Sequence, residues 1–132
     1  MASIRKDLHL NVAAEKVWDA LADFHNVHTR LAPGFVTASQ PQGDGVRLVT
    51  FANGAQAREV LVTADAALRR LVYTIPSERM THHSASAEIV ADGPHNCRFI
   101  WTTDVMPDAL APYIDAQMSE GAKAMTRALE GA

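Results

Sequence analysis

The sequence predicts an α+β fold in which a long C-terminal helix lies across a curved, seven-stranded antiparallel sheet. Three observations predict it. Over residues 107–129, Leu110, Ile114, Met118, Gly121, Met125 and Leu129 recur at spacings of three and four, one stripe of a single helix. From Phe35 onward, short apolar stretches alternate with regular turn signals. The connections are shorter than the roughly dozen-residue crossovers that parallel neighbours need, so the strands form a meander.

Taken in order, residues 3–10 alternate Ile4, Lys6, Leu8 and Leu10 against Arg5, Asp7 and His9, the pattern of a half-buried strand. Asn11 is the expected cap of a first helix, with Glu15 in its first turn and Ala14, Val17, Trp18, Leu21 and Phe24 on its apolar side. A second short helical piece over residues 25–31 stops at Ala32-Pro33-Gly34. Turns at residues 41–45, at Asn53-Gly54, and at residues 64–67, 76–81 and 92–96 then bound strands near 35–40, 46–52, 55–63, 68–75, 82–91 and 97–106. The last helix enters through Pro107 and Asp108, or one turn later through Pro112, because proline suits a first helical turn. Gly131 ends it. The whole chain, residues 1–132, reads as one domain.

Strand faces follow from alternation. In 82–91, His83, Ala85, Ala87 and Ile89 oppose His82, Ser84, Ser86 and Glu88, so His83 points toward the helix. Ala85 and Ala87 are small for an inward face and leave volume unless a large neighbour fills it. Leu71, Tyr73 and Ile75 share the apolar side of their strand. Phe99, Trp101, Thr103 and Val105 do so in the last strand, although Ile100 and Met106 blur the choice. Strand 55–63 is ambiguous by pattern alone.

Composition bounds the partners. A hydrophobic fraction of 48% and a charged fraction of 20% are ordinary for a soluble domain. A net charge of -3 without a basic run gives no reason to expect nucleic acid. One cysteine, Cys97, excludes an intramolecular disulfide. The N-terminal stretch lacks a signal-peptide apolar core and no run reaches the length of a membrane span, so a cytoplasmic protein without integral membrane association is expected.

The order strand, two short helices, six-strand meander and long C-terminal helix resembles the START-like (SRPBCC) superfamily, and within it the polyketide cyclase/dehydrase branch. The residues that carry the resemblance are Ala14 through Phe24, then Arg58-Glu59-Val60-Leu61 with Asp65, Arg70 and Tyr73-Thr74-Ile75. Phe99 and Trp101, then Met118, Gly121, Met125 and Leu129, complete it. The resemblance implies a helix-grip fold around a deep cavity for a lipid-, polyketide- or aromatic-like molecule. It also orients the ambiguous strand. In the plant abscisic-acid receptors, distant members of the superfamily, a pocket glutamate stands six residues before a turn aspartate. Glu59 and Asp65 have that spacing, so Glu59, with Ala57 and Leu61 on its face, is expected to line the cavity. Residues 79–83 resemble the receptors' gate loop, but Glu78 stands where the gate has a histidine, which argues against a hormone receptor.

Glu59 and His83 are the candidate proton-transfer groups. A carboxyl facing an apolar cavity has a raised pKa, whereas one paired with an arginine is merely structural. His83 beside Tyr73 could hold a ligand carbonyl or serve as a satisfied wall residue. Met118 and Met125 suit an adaptable roof. Gly121 between them costs about 1 kcal/mol against alanine in a helix, so close approach of a neighbour or ligand is expected there. Ala57, Leu61, Ile75, Ala85, Ala87, Trp101 and Thr103 complete the expected lining. No metal site and no cofactor are expected: His82 and His83 face opposite ways, and His25 and His28 lack a third ligand in sequence. The leading expectation is a binder of a small, mostly apolar molecule. The rival is a cyclase/dehydrase- or isomerase-type enzyme using Glu59, His83 or both. Ile100 and Val90, exposed by pattern, are compatible with a homodimer.

Overall fold

The computed structural model describes residues 1–131; Ala132, the last residue of the expected domain, lies outside them. Seven strands form one antiparallel sheet: β1 (Ala2–Leu10), β2 (Val36–Pro41), β3 (Val46–Phe51), β4 (Gln56–Asp65), β5 (Arg70–Thr74), β6 (His82–Ala91) and β7 (Cys97–Met106). Their spatial order is β1-β7-β6-β5-β4-β3-β2. The last six strands follow one another as the meander expected from their short turns. The first strand closes onto the last, pairing Ala2 with Val105 and Leu10 with Cys97.

Helix α1 (Ala14–Ala22) follows β1, and α2 (Ala111–Glu130) follows β7 after a 3-10 turn at Asp108–Leu110. Pro112 sits in the first turn of α2, so the helix starts at the later of the two proline signals. Asn11 does not cap α1. Ala13 holds the cap position without a side-chain hydrogen bond, and the Asn11 amide instead donates to Glu130 Oε2 at 2.9 Å. The second helical piece is a 3-10 turn (Phe24–Asn26) running into a π-helical turn (Val27–Leu31). The turn expected at 64–67 lies at 66–69, because Asp65 stays in β4 and its Oδ1 accepts the Leu68 amide at 3.0 Å.

α2 lies along the inner face, held to β1 by Lys6–Asp115, and the 3-10 turn before it is held by Asp108 to the Met1 amino group. Lys6 stands on the apolar side of β1 and reaches Asp115 with its ammonium, the habit of a long stem with a wet head. The packed core occupies one end of the grip. Val17, Leu21 and Phe24 meet Ile89 and Phe99 from the sheet and Met125 and Leu129 from the last turns of α2. The first turns of α2 do not reach that core. They roof an open volume.

Candidate ligand cavity

That volume is a cavity of about 600 Å³ between the concave sheet and α2. It falls in the range that small-molecule sites occupy, ~300–1,000 Å³. Leu110, Ile114 and Met118 line its roof, with Gly121 and Met125 deeper along the same stripe. Phe99 and Trp101 of β7, Leu71 and Tyr73 of β5, and Ala87 of β6 line its floor. Gln56, Ser77, Arg79 and Tyr113 are exposed or half-exposed lining residues and mark the mouth.

Ala57, Glu59, Tyr73, Ile75, His83, Ala87, Trp101, Thr103, Met118, Gly121 and Met125 all line the cavity. Leu61 and Ala85 do not. Leu61 lies beyond its end, where its amide donates to the Gly45 carbonyl at 2.7 Å. Ala85 is fully buried in the ladder between Tyr73 and Thr103, the larger neighbours that fill the volume its methyl leaves. Beside Ala87 the volume is partly open, although Trp101 and Leu71 flank it.

Sequence reasoning missed Arg47. β3 and β4 form a hairpin whose register sets Arg47 directly opposite Glu59, and both side chains face inward, only 7% exposed. Arg47 Nε donates to Glu59 Oε1 at 2.8 Å, and its Nη2 lies 2.7 Å from the same oxygen. Its Nη1 donates to the Phe24 carbonyl at 2.7 Å, and the guanidinium stacks 3.8 Å over the Phe24 ring. A signal was available: folding the chain about Asn53 places 47 across from 59, an opposite-charge cross-strand pair. Burial raises the Glu59 pKa above the ordinary carboxylate range, and the Arg47 charge and hydrogen bond oppose that shift. Burial, with the Glu59 charge adding to it, also raises the Tyr73 phenol, which therefore stays protonated at neutral pH.

His83 faces Tyr73 with ring centroids 6.1 Å apart. Its Nδ1 accepts the Ile75 amide at 3.1 Å, which assigns the neutral ring the Nε2–H tautomer. Burial depresses its pKa to about 4, and the neighbouring His82 adds to the shift. The unfolded chain therefore protonates first. Stability contributed by neutral His83 is complete above pH 6.5 and is lost as pH falls toward about 4. His83→Asn keeps an acceptor for the Ile75 amide but cannot titrate. Its melting temperature is expected to fall less than the parent's over that window, and parallel pH profiles would refute the assignment.

His82 is exposed, on the opposite face from His83. Among the described residues, His25 and His28 are joined by no further histidine, cysteine or carboxylate that could complete a metal site with them. No described helix is long and apolar enough to cross a membrane.

A concave sheet gripping one long helix around an apolar cavity defines a START-like, helix-grip fold. The family described as polyketide cyclase / dehydrase and lipid transport matches residues 1–131, and the chain belongs to it. Among solved structures, a protein from Thermobifida fusca is 28% identical with a TM-score of 0.78, over 98% of this chain and 91% of the other. A START superfamily protein from Mycobacterium smegmatis is 12% identical with a TM-score of 0.74, over 98% and 94%. Norcoclaurine synthase from Thalictrum flavum, solved with a transition-state analogue, is 19% identical with a TM-score of 0.76, over 97% and 93%. No curated protein matches the chain in sequence.

Proposed function

We propose that the protein binds a small, mostly apolar molecule between the sheet and α2, with lipid-, polyketide- or aromatic-like compounds as the class. The observation that carries this reading is the cavity itself, about 600 Å³ with largely aliphatic and aromatic walls. Burying an apolar ligand there supplies affinity at ~25 cal/mol per Å² removed from water. A few polar groups on the floor set its orientation. Neutral His83 offers an Nε2–H donor, and protonated Tyr73 offers a hydroxyl that can give or accept a hydrogen bond.

The same geometry weighs against proton transfer. A general base needs a free lone pair near its working pH. The one lone pair of His83 is already held by the Ile75 amide. Glu59 spends Oε1 on Arg47, which keeps the carboxylate a structural partner. The binder reading therefore stands ahead of the cyclase or isomerase reading.

Native mass spectrometry of the purified protein, followed by release and identification of any bound compound, tests this directly. An apolar fluorescent probe gives a second readout. Ile114→Trp fills the roof from a half-exposed position on α2 and is expected to weaken probe binding at least about tenfold, roughly 1.4 kcal/mol. Probe affinity unchanged in a folded variant would remove the cavity as the binding site.

A further inference from the structure

The charge of the cavity lining differs from that of the chain. The sequence carries 15 acidic residues against 12 lysines and arginines. The cavity is nevertheless lined by three arginines, Arg47, Arg58 and Arg79, and by a single carboxylate, Glu59, which Arg47 occupies. Arg79, in the β5–β6 connection, is exposed at the mouth. Arg58 borders the cavity next to inward-facing Glu59 on β4, so alternation turns its side chain to the outer face of the sheet. Among the described residues the Arg79 guanidinium has no hydrogen-bond or ion-pair partner; only its backbone amide is bonded, to Ser77.

The segment bearing Arg79 is a closed turn rather than a loose loop. Ser77 Oγ accepts the Arg79 amide at 3.1 Å, the Ser77 carbonyl accepts the Met80 amide at 3.3 Å, and the Thr81 amide donates to the Met106 carbonyl at 3.0 Å. His83 Nδ1 holds its other end through the Ile75 amide. The acids nearest in sequence to the mouth lie outside the lining. Glu78 neighbours Arg79 on the turn but does not line the cavity, Asp115 is paired with Lys6, and Asp108 with the Met1 amino group. Across the opening α2 presents Tyr113 and Gln117, which are neutral.

We propose that the mouth holds an anionic head group, a carboxylate or phosphate, whose apolar chain occupies the interior. Arg79 is the head-group contact. A guanidinium meets either anion through paired N–H donors, and the low polarity of the adjoining walls strengthens that attraction. This proposal deepens the apolar-binder reading and rests on it: the ligand is an amphiphile with its charge at the entrance and its tail against Met118 and Trp101.

The test compares decanoate, decyl phosphate and decan-1-ol below their micellar concentrations, by calorimetry at pH 7. An anion is expected to bind about tenfold tighter than the alcohol at low ionic strength, with the gap narrowing as salt is added. Whichever of decanoate and decyl phosphate shows the larger preference identifies the head group. Arg79→Gln is expected to abolish the preference, whereas Arg58→Gln, on the outer face of β4, is expected to leave it in place. Equal binding of anions and alcohol overturns the head-group proposal alone. A preference that survives Arg79→Gln overturns the assignment to this arginine. Binding of none of the three, in a protein whose melting curve is intact, overturns the apolar-binder reading and this proposal with it.

Discussion

Replacing Glu59 by leucine is expected to destabilise the protein by about 3–5 kcal/mol, the cost of leaving a buried charge without its partner. The charge left behind is the Arg47 guanidinium, enclosed between the sheet and the Phe24 ring. It would keep its bond to the Phe24 carbonyl but lose both contacts to Glu59 Oε1. Glu59→Gln retains an acceptor oxygen and is expected to cost less. The double variant Arg47→Met/Glu59→Leu removes both charges and is expected to recover most of the loss, since well-packed apolar groups often match or exceed a buried pair. Urea denaturation of the parent, both single variants and the double variant completes the cycle. Single variants that each cost less than about 1 kcal/mol would show the pair to be hydrated and energetically minor. The pair also has a positional consequence. Through Phe24 it ties the short helical turns to the β3–β4 hairpin, so its loss should loosen the cavity end that Leu21, Val27 and Leu31 line.

Gly121→Val is the second large effect. A Cβ at position 121 would stand 3.0 Å from Trp101 Cη2 and 3.1 Å from Phe35 Cε2, so both rings lie against the helix where a side chain would begin. Valine would add two further carbons to that contact. Overpacking of this kind costs about 1–3 kcal/mol, and relief comes only by displacing a ring. Trp101 lines the cavity, so it is expected to swing into it, shifting tryptophan emission and weakening probe binding. Gly121→Ala is a milder case, because the helix regains about 1 kcal/mol of propensity against the same crowding. A valine variant with parental stability and emission would show that the rings have room to yield. The glycine is thus explained by a protein neighbour. Close approach of a ligand is not needed to account for it.

The fold was legible because each element carries its own period and its own stops. The i, i+3, i+4 stripe from Leu110 to Leu129 and the two-residue alternation of 82–91 are local properties of the chain. So are the turn residues around Gly43, Gly54 and Gly93, all with positive φ in the structure. Boundaries were less legible where a side chain had competing partners. Asn11 looks like a helix cap by residue type, yet its amide is taken by Glu130, 119 residues away in sequence. Asp65 looks like part of a turn, yet it remains in β4 and closes the turn after it.

The site divides along the same line. Alternation put His83 and Ala87 inward, and the family resemblance put Glu59 there. What each group does depends on contacts between strands. Arg47 determines whether Glu59 is a free acid or half of an ion pair, and the Ile75 amide determines which His83 nitrogen faces a ligand. Ala85 and Ala87 are identical in sequence terms, but Tyr73 and Thr103 close over the first while the second borders open volume. The sequence by itself therefore determined the elements, their order and most of the inward faces, because these follow from the period of the backbone. Only the tertiary structure decided the closure of β1 onto β7, the Arg47–Glu59 pair and the extent of the cavity, because these depend on distances between residues far apart in the chain.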